Sequence, residues 1–150
     1  EMTKKKFSAA HILGKQFDKE TTESSLAEFT NKLPFMLTLD QSRVLKEISE
    51  KLSSGRRLDA LIQGDVSCGK TMIAIGATAM AAANGYQTVI MAPTEVLAEQ
   101  HFHEFSYYFP NTVFLTGGMK VREKRQILSD IAIGKAQVIV GTHAVIGSLA

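Results

Sequence analysis

From residue 33 onward the chain alternates between two rhythms of apolar residues. Residues 38–52 carry Val44, Leu45, Ile48 and Leu52 at helical spacing, which predicts a helix with one buried face. Short β-branched or apolar runs at 58–63, 88–91, 112–115 and 137–140 predict strands. Between them, residues 70–83, 95–108 and 121–133 read as helices, with Asn84-Gly85 and Gly134 standing where helix C-caps belong. The strand runs are apolar throughout rather than alternating, the mark of strands covered on both faces. Repeated strand–helix–strand units of this kind predict an α/β fold with a parallel sheet and right-handed crossovers.

Residues 1–32 have a different texture, polar with a basic cluster at Lys4, Lys5 and Lys6. Ser24 or Ser25 is placed to cap a short helix over 26–32, with Glu28 returning the bond to Ser25. The region is expected to be a linker or the tail of a preceding domain, with 33–150 forming the first part of a nucleotide-binding domain. The lysines can touch a nucleic-acid backbone, but a solvated terminus is the favoured reading.

Composition adds little beyond class. The 150 residues are 45% hydrophobic and 21% charged, a soluble globular balance that excludes disordered and fibrous classes. The longest nearly apolar run, residues 72–83, is too short to span a bilayer, and no signal peptide opens the chain, so no membrane partner is expected. The start at Glu1 and the end in an apolar stretch suggest a piece of something longer. One cysteine excludes an internal disulfide and a cysteine metal site and fits a reducing cytoplasm. A net charge of +2 permits phosphate contacts without arguing for them.

The strongest chemical signal is Gly64-Asp65-Val66-Ser67-Cys68-Gly69-Lys70-Thr71, a complete phosphate-loop pattern between a strand and a helix. Gly64 and Gly69 let the backbone curl until successive N–H groups face one anion, and the helix start adds its dipole and unpaired N–H groups. Lys70 can then reach the β- and γ-phosphates of ATP as the catalytic cation, and the Thr71 hydroxyl can ligate Mg²⁺. Cys68, inside this nest, has an environment that favours a thiolate, yet a spectator role outweighs a redox one.

Other loops emerge at the same sheet edge. After 88–91 comes Ala92-Pro93-Thr94-Glu95, where an ordinary N-cap and a second phosphate site are equal readings. Thr116-Gly117-Gly118 and Gly141-Thr142-His143 follow the next strands. Together they suggest an extended anionic ligand beside the nucleotide. His101 and His103 stand two apart on a helix and make a poor metal pair, and Phe102, Phe105, Tyr107, Tyr108 and Phe109 are expected to pack that helix on the sheet. No strand run ends in the Asp-Glu pair that ATP hydrolysis of this class needs.

These blocks resemble the RecG family of superfamily 2 helicases, from about Leu33 to Ile146. The resemblance rests on Leu33-Pro34-Phe35 with Leu37-Thr38 and Gln41, then Gly64-Asp65-Val66 and Gly69-Lys70-Thr71. It continues through Pro93-Thr94-Glu95 up to Gln100-His101 and Gly141-Thr142-His143. It implies a RecA-like first motor domain, ATP and Mg²⁺ as cofactors, and DNA as partner. Phe35, Thr38 and Gln41 would sense adenine, and Pro93, Thr94, Gly117, Gly118, Thr142 and His143 would lie along a DNA strand. A second motor domain of the same chain would complete the engine. Family loops read Gly-Ser-Gly-Lys where this chain has Ser67-Cys68-Gly69-Lys70, so a positive φ at Ser67 would bring strain. Two rivals stand beside this reading: a transcription-repair coupling translocase, and a phosphate-loop small-molecule kinase, for which no lid or acceptor residues are evident.

Overall fold

The computed structural model describes residues 17–55 and 69–147. The chain divides into two compact units, residues 1–85 and 86–150.

The described part of the first unit is helical: α1 (Lys19–Lys32), α2 (Leu39–Ser53) and α3 (Lys70–Ala83). All three pack on one another. Each start has a local cause. The Asp18 carboxylate accepts from the Thr21 N–H at 2.9 Å and the Thr21 hydroxyl at 2.7 Å, fixing the first turn of α1. Thr38 and Gln41 form a reciprocal capping box at α2. The expected short helix behind Ser24 or Ser25 is therefore corrected: the helix begins about two turns earlier, on Asp18. Ser25 donates instead to the Thr22 carbonyl at 2.8 Å, and Glu28 pairs with Lys32 at 2.7 Å. Nor is α1 a loose tail, because Thr22 and Phe29 are buried in it. Asn84, at the end of α3, ties it down. Its Oδ1 accepts the Asp18 N–H at 2.8 Å, and its Nδ2 donates to Thr22 Oγ1 at 3.0 Å and to the Met80 carbonyl at 2.8 Å.

The second unit contains β1 (Thr88–Ala92), α4 (Glu95–Tyr108), β2 (Thr112–Leu115), α5 (Val121–Ala132), β3 (Val138–Thr142) and α6 (His143–Gly147). The strands form a parallel sheet in the order β1-β3-β2. β3 therefore lies between the other two and is buried from Val138 to Gly141. Helix α4 packs on all three strands. Phe102 of α4 stacks on Phe114, with ring centres 5.3 Å apart, and Phe114 is in register with Val140. By the period of two, Val138 and Val140 share that face. Ile139 points the other way, into a cluster with Ala136 and Ile146 flanked by Val113 and Ile131.

From residue 38 onward the strand and helix predictions match within two residues at each described end, and glycines with φ of 79° and 81° occupy the expected turns at Gly85 and Gly134. The predicted strand at 58–63 lies outside the described residues. Two expectations fail. On β1, Val89 and Met91 remain 47% and 55% exposed, so among the described strands only the central one is covered on both faces. Tyr107 is 77% exposed and does not join the α4 core, because it falls on the side of the helix away from the sheet, whereas Phe105 and Phe109 do. No helix among the described residues is long and apolar enough to cross a membrane.

Replacing Asn84 by Ala removes three hydrogen bonds around a fully buried Thr22. It should destabilise the first unit by about 1–3 kcal/mol in urea titration. The Asp18 cap also sets a pH dependence. Hydrogen bonds from the Thr21 hydroxyl and N–H hold the Asp18 carboxyl below its ordinary value of 3.8. The ionised cap therefore contributes fully above that value and is lost as pH falls through the lower folded one. Helical circular dichroism should fall on acidification below about pH 4, less so in Asp18→Asn, which caps without titrating.

Candidate functional site

In the first unit, candidate residues converge on the start of α3. Gly69 is its N-cap in the left-handed conformation, φ 71° and ψ 38°, and has no side chain of its own to cap this end. A residue other than glycine is disfavoured there by its backbone alone. Packing adds a second exclusion, since a Cβ on Gly69 would run into the Gln41 amide. Lys70 opens the helix on the exposed side and Thr71 follows, partly buried. The first N–H groups of α3 thus form a positively polarised end with a cation beside it, which suits an anion. Gly64, Asp65, Val66, Ser67 and Cys68 lie outside the described residues.

Gln41 links this end to α2. It is 7% exposed, its Oε1 accepts the Thr38 N–H at 2.9 Å, and its Nε2 donates to the Gly69 carbonyl at 3.4 Å. The amide orientation follows from chemistry: an N–H needs the oxygen and a carbonyl needs the NH₂. The structure therefore brings Thr38 and Gln41 to the phosphate-loop helix across 28 residues of sequence. It also gives the Gln41 amide internal partners, which the reading of Gln41 as a base reader did not foresee. Thr38-Leu39-Asp40-Gln41 is a capping-box sequence, and that pattern could have revealed the role. Phe35, 46% exposed, lines an open groove of about 450 Å³ together with Asn31, Pro34, Met36 and Ser42. Neither Thr38 nor Gln41 lines that groove.

In the second unit the parallel register sets the geometry. Ala92 pairs with Thr142, and Met91 and Leu115 both pair with Gly141, so all three strands end at one edge. Pro93 and Thr94 leave β1 there, Gly117 and Gly118 follow β2, and Thr142 and His143 close the central β3 between them. Thr94 caps α4, accepting the Leu97 N–H at 3.2 Å, so the N-cap reading holds for its oxygen. Its hydroxyl hydrogen remains able to donate to an anion. Except for the partly buried Thr142, these residues are exposed. Gly141 is needed for packing: a Cβ there would lie 2.8 Å from the Leu115 carbonyl oxygen and 3.1 Å from Ile146 Cδ1.

His103 faces Glu99 at 3.7 Å on the surface, and no group of three metal-ligating side chains occurs among the described residues. Gly141→Ala should destabilise the second unit by about 1–3 kcal/mol, because the neighbouring atoms are backbone and a buried side chain. Thr94→Ala should cost about 1 kcal/mol as a lost cap. Thermal melts of the two variants test both values.

Comparison with known proteins agrees with this arrangement. Residues 38–150 match the DEAD/DEAH box helicase family. The ATP-dependent DNA helicase RecG of Streptococcus pneumoniae is 47% identical over 116 residues, covering 76% of this chain and 17% of the relative. RecG of Aquifex aeolicus is 41% identical over 128 residues, covering 83% of this chain and 16% of the relative. The transcription-repair-coupling factor of Helicobacter pylori is 38% identical over 141 residues, covering 91% of this chain and 14% of the relative. A solved structure of RecG bound to a three-way DNA junction superposes with a TM-score of 0.78 at 34% identity, covering 91% of this chain and 19% of that one. The chain thus spans under a fifth of each of these relatives. With its parallel α/β sheet and a phosphate-loop helix held by Gln41, this chain belongs to the DEAD/DEAH box helicase family.

Proposed function

We propose that this chain is the nucleotide-binding portion of the first motor domain of an ATP-dependent DNA helicase that remodels branched DNA. The observation that carries the reading is the Gln41–Gly69 contact, which joins the Phe35–Gln41 segment to the helix bearing Lys70 and Thr71. Lys70 contacts the β- and γ-phosphates, and residues 64–69 surround them with backbone N–H groups. Thr71 ligates Mg²⁺, whose charge offsets that of the phosphate oxygens. Phe35, Thr38 and Gln41 serve the adenine: Phe35 offers an exposed ring for stacking, and Gln41 turns its Nε2 from the long Gly69 bond to the base edge. Pro93, Thr94, Gly117, Gly118, Thr142 and His143 contact the backbone of a DNA strand, and their shared strand edge supports this.

The same reading makes the second motor domain the partner that completes the site, in a cytoplasmic protein, with residues 1–32 leading in from a preceding region and the motor domain running from residue 33. A transcription-repair coupling translocase is the second reading, supported by 38% identity to the Helicobacter pylori factor. The higher identity of the two RecG sequences favours the first. The match to the helicase family stands against a small-molecule kinase.

Calorimetric titration of the chain with Mg·ADP and Mg·ATP should show saturable binding that Lys70→Ala abolishes or weakens at least tenfold, about 1.4 kcal/mol or more. Steady-state turnover should be negligible, since none of the strand runs is followed by an Asp-Glu pair. Absence of binding by a folded chain, or Lys70-dependent turnover, would count against the proposal.

A further inference from the structure

Helix α3 carries Lys70 and Thr71 in its first turn, and its two ends are held unequally. At the start, Gln41 Nε2 reaches the Gly69 carbonyl only at 3.4 Å, the weak end of the hydrogen-bond range. At the far end the Asn84 side chain makes three shorter bonds. Its Oδ1 accepts the Asp18 N–H at 2.8 Å, and its Nδ2 donates to Thr22 Oγ1 at 3.0 Å and to the Met80 carbonyl at 2.8 Å. Two of the three cross to α1, over 66 and 62 residues of sequence. Both partners lie at the start of α1, where Asp18 is the cap and Thr22 is fully buried.

Between its ends α3 has little that is directional. From Met72 to Ala83 it carries no charged residue, and Thr78 spends its hydroxyl on the Ala74 carbonyl of the same helix at 2.8 Å. Burial of Ile73, Ile75 and Met80 holds the helices together without specifying a direction. Gly76 sets how deeply Leu45 and Phe29 approach. The Asn84 bonds add what packing lacks, because their geometry defines the register of α3 along α1 and its rotation about its own axis. The 14 residues of α3 form one continuous helix about 20 Å long, so a shift at Asn84 reappears at Lys70. Groups that bind a ligand precisely tolerate a displacement of only about 0.5 Å.

We infer that Asn84 is a positioning residue of the nucleotide site: it fixes α3 on the start of α1 and so couples the segment entering α1 at Phe17 to the groups that hold the phosphates. This role rests on the nucleotide site proposed above and adds α1 to its machinery. Phe17, immediately before the Asp18 cap, is itself buried, so the entry of α1 is anchored on both sides of that cap. Coupling between two sites is reciprocal. If the Asn84 bonds favour the bound arrangement of Lys70 and Thr71, bound nucleotide strengthens those bonds, and the start of α1 closes more tightly. A tie that served stability alone would be blind to the ligand.

The test pairs calorimetric titration of the chain with Mg·ADP and amide hydrogen exchange with and without that ligand. Asn84→Ala should weaken Mg·ADP by about fivefold or more. Thr22→Val, which keeps the shape and removes the acceptor, should weaken it in the same direction, and Thr22→Ser should restore it. Ile48→Val loosens the packing of α2 while leaving the Asn84 bonds intact, and should bind as the wild type does. In the wild type Mg·ADP should slow exchange of the Asp18 and Thr22 amides. These lie at a helix start and exchange by local opening, so global stabilisation alone does not slow them. Should Asn84→Ala fail to fold, the wild-type exchange decides by itself. Suppose Mg·ADP binds in a Lys70-dependent way, yet the two amides exchange equally with and without it, and folded Asn84→Ala binds like Ile48→Val. The coupling is then overturned and the nucleotide reading survives. If the folded wild type does not bind Mg·ADP, both are overturned.

Discussion

The first unit depends on how closely three helices meet at Gly76. A Cβ there would lie 2.6 Å from Leu45 Cδ2 and 3.3 Å from Phe29 Cε2, so α1 and α2 both press on α3 where it has no side chain. Leu45 lies one turn beyond Gln41 on α2. Seating Leu45 against Gly76 therefore also presents Gln41 to Gly69, where its amide bridges the two helix starts. The left-handed turn at Gly69 is thus held by packing two helical turns away as well as by its own glycine. The cost of ordering the Gln41 side chain is offset by the buried hydrogen bonds it makes.

The second unit rests on a comparable close approach. Gly141 in β3 lets the Leu115 carbonyl and Ile146 come within a distance that no Cβ would permit. That contact seats α6 directly behind the end of the central strand, so His143 emerges between the exits of β1 and β2. The exposed residues at this edge are placed by a core that tolerates little change, which is how mobile-looking turns come to hold fixed positions.

Much of this was legible in the residues. The apolar runs at 88–91 and 112–115 and the helical spacing from Val44 to Leu52 identify elements because periodicity reports burial directly. The start of α1 was not, because Ser25 and Glu28 imitate a capping box inside a helix. Their true partners, Thr22 and Lys32, lie within the same helix, and local sequence cannot decide between the two. Coverage of β1 was misread for a related reason: an apolar run shows that a strand can be buried, while strand order decides which one is. At the candidate site, Gln41 was found but its partner was not. A contact across 28 residues depends on how α2 packs on α3.

Helix starts separate the structural from the chemical part of the molecule. Asp18, Thr38 and Thr94 close α1, α2 and α4 with their own side chains, satisfying donors that would otherwise need a partner. Gly69 and Lys120 leave α3 and α5 without that closure. Each has a cation close by in sequence, Lys70 beside Gly69 and Arg122 two residues after Lys120. At Lys120, whose backbone is extended, Ser, Thr or Asp would cap α5 and stabilise it by about 1 kcal/mol; at Gly69 the left-handed backbone and the Gln41 amide leave room for glycine alone. At α3 the open start is consistent with backbone donors kept for the phosphate oxygens of the proposed nucleotide, a role that a capping side chain would compete with.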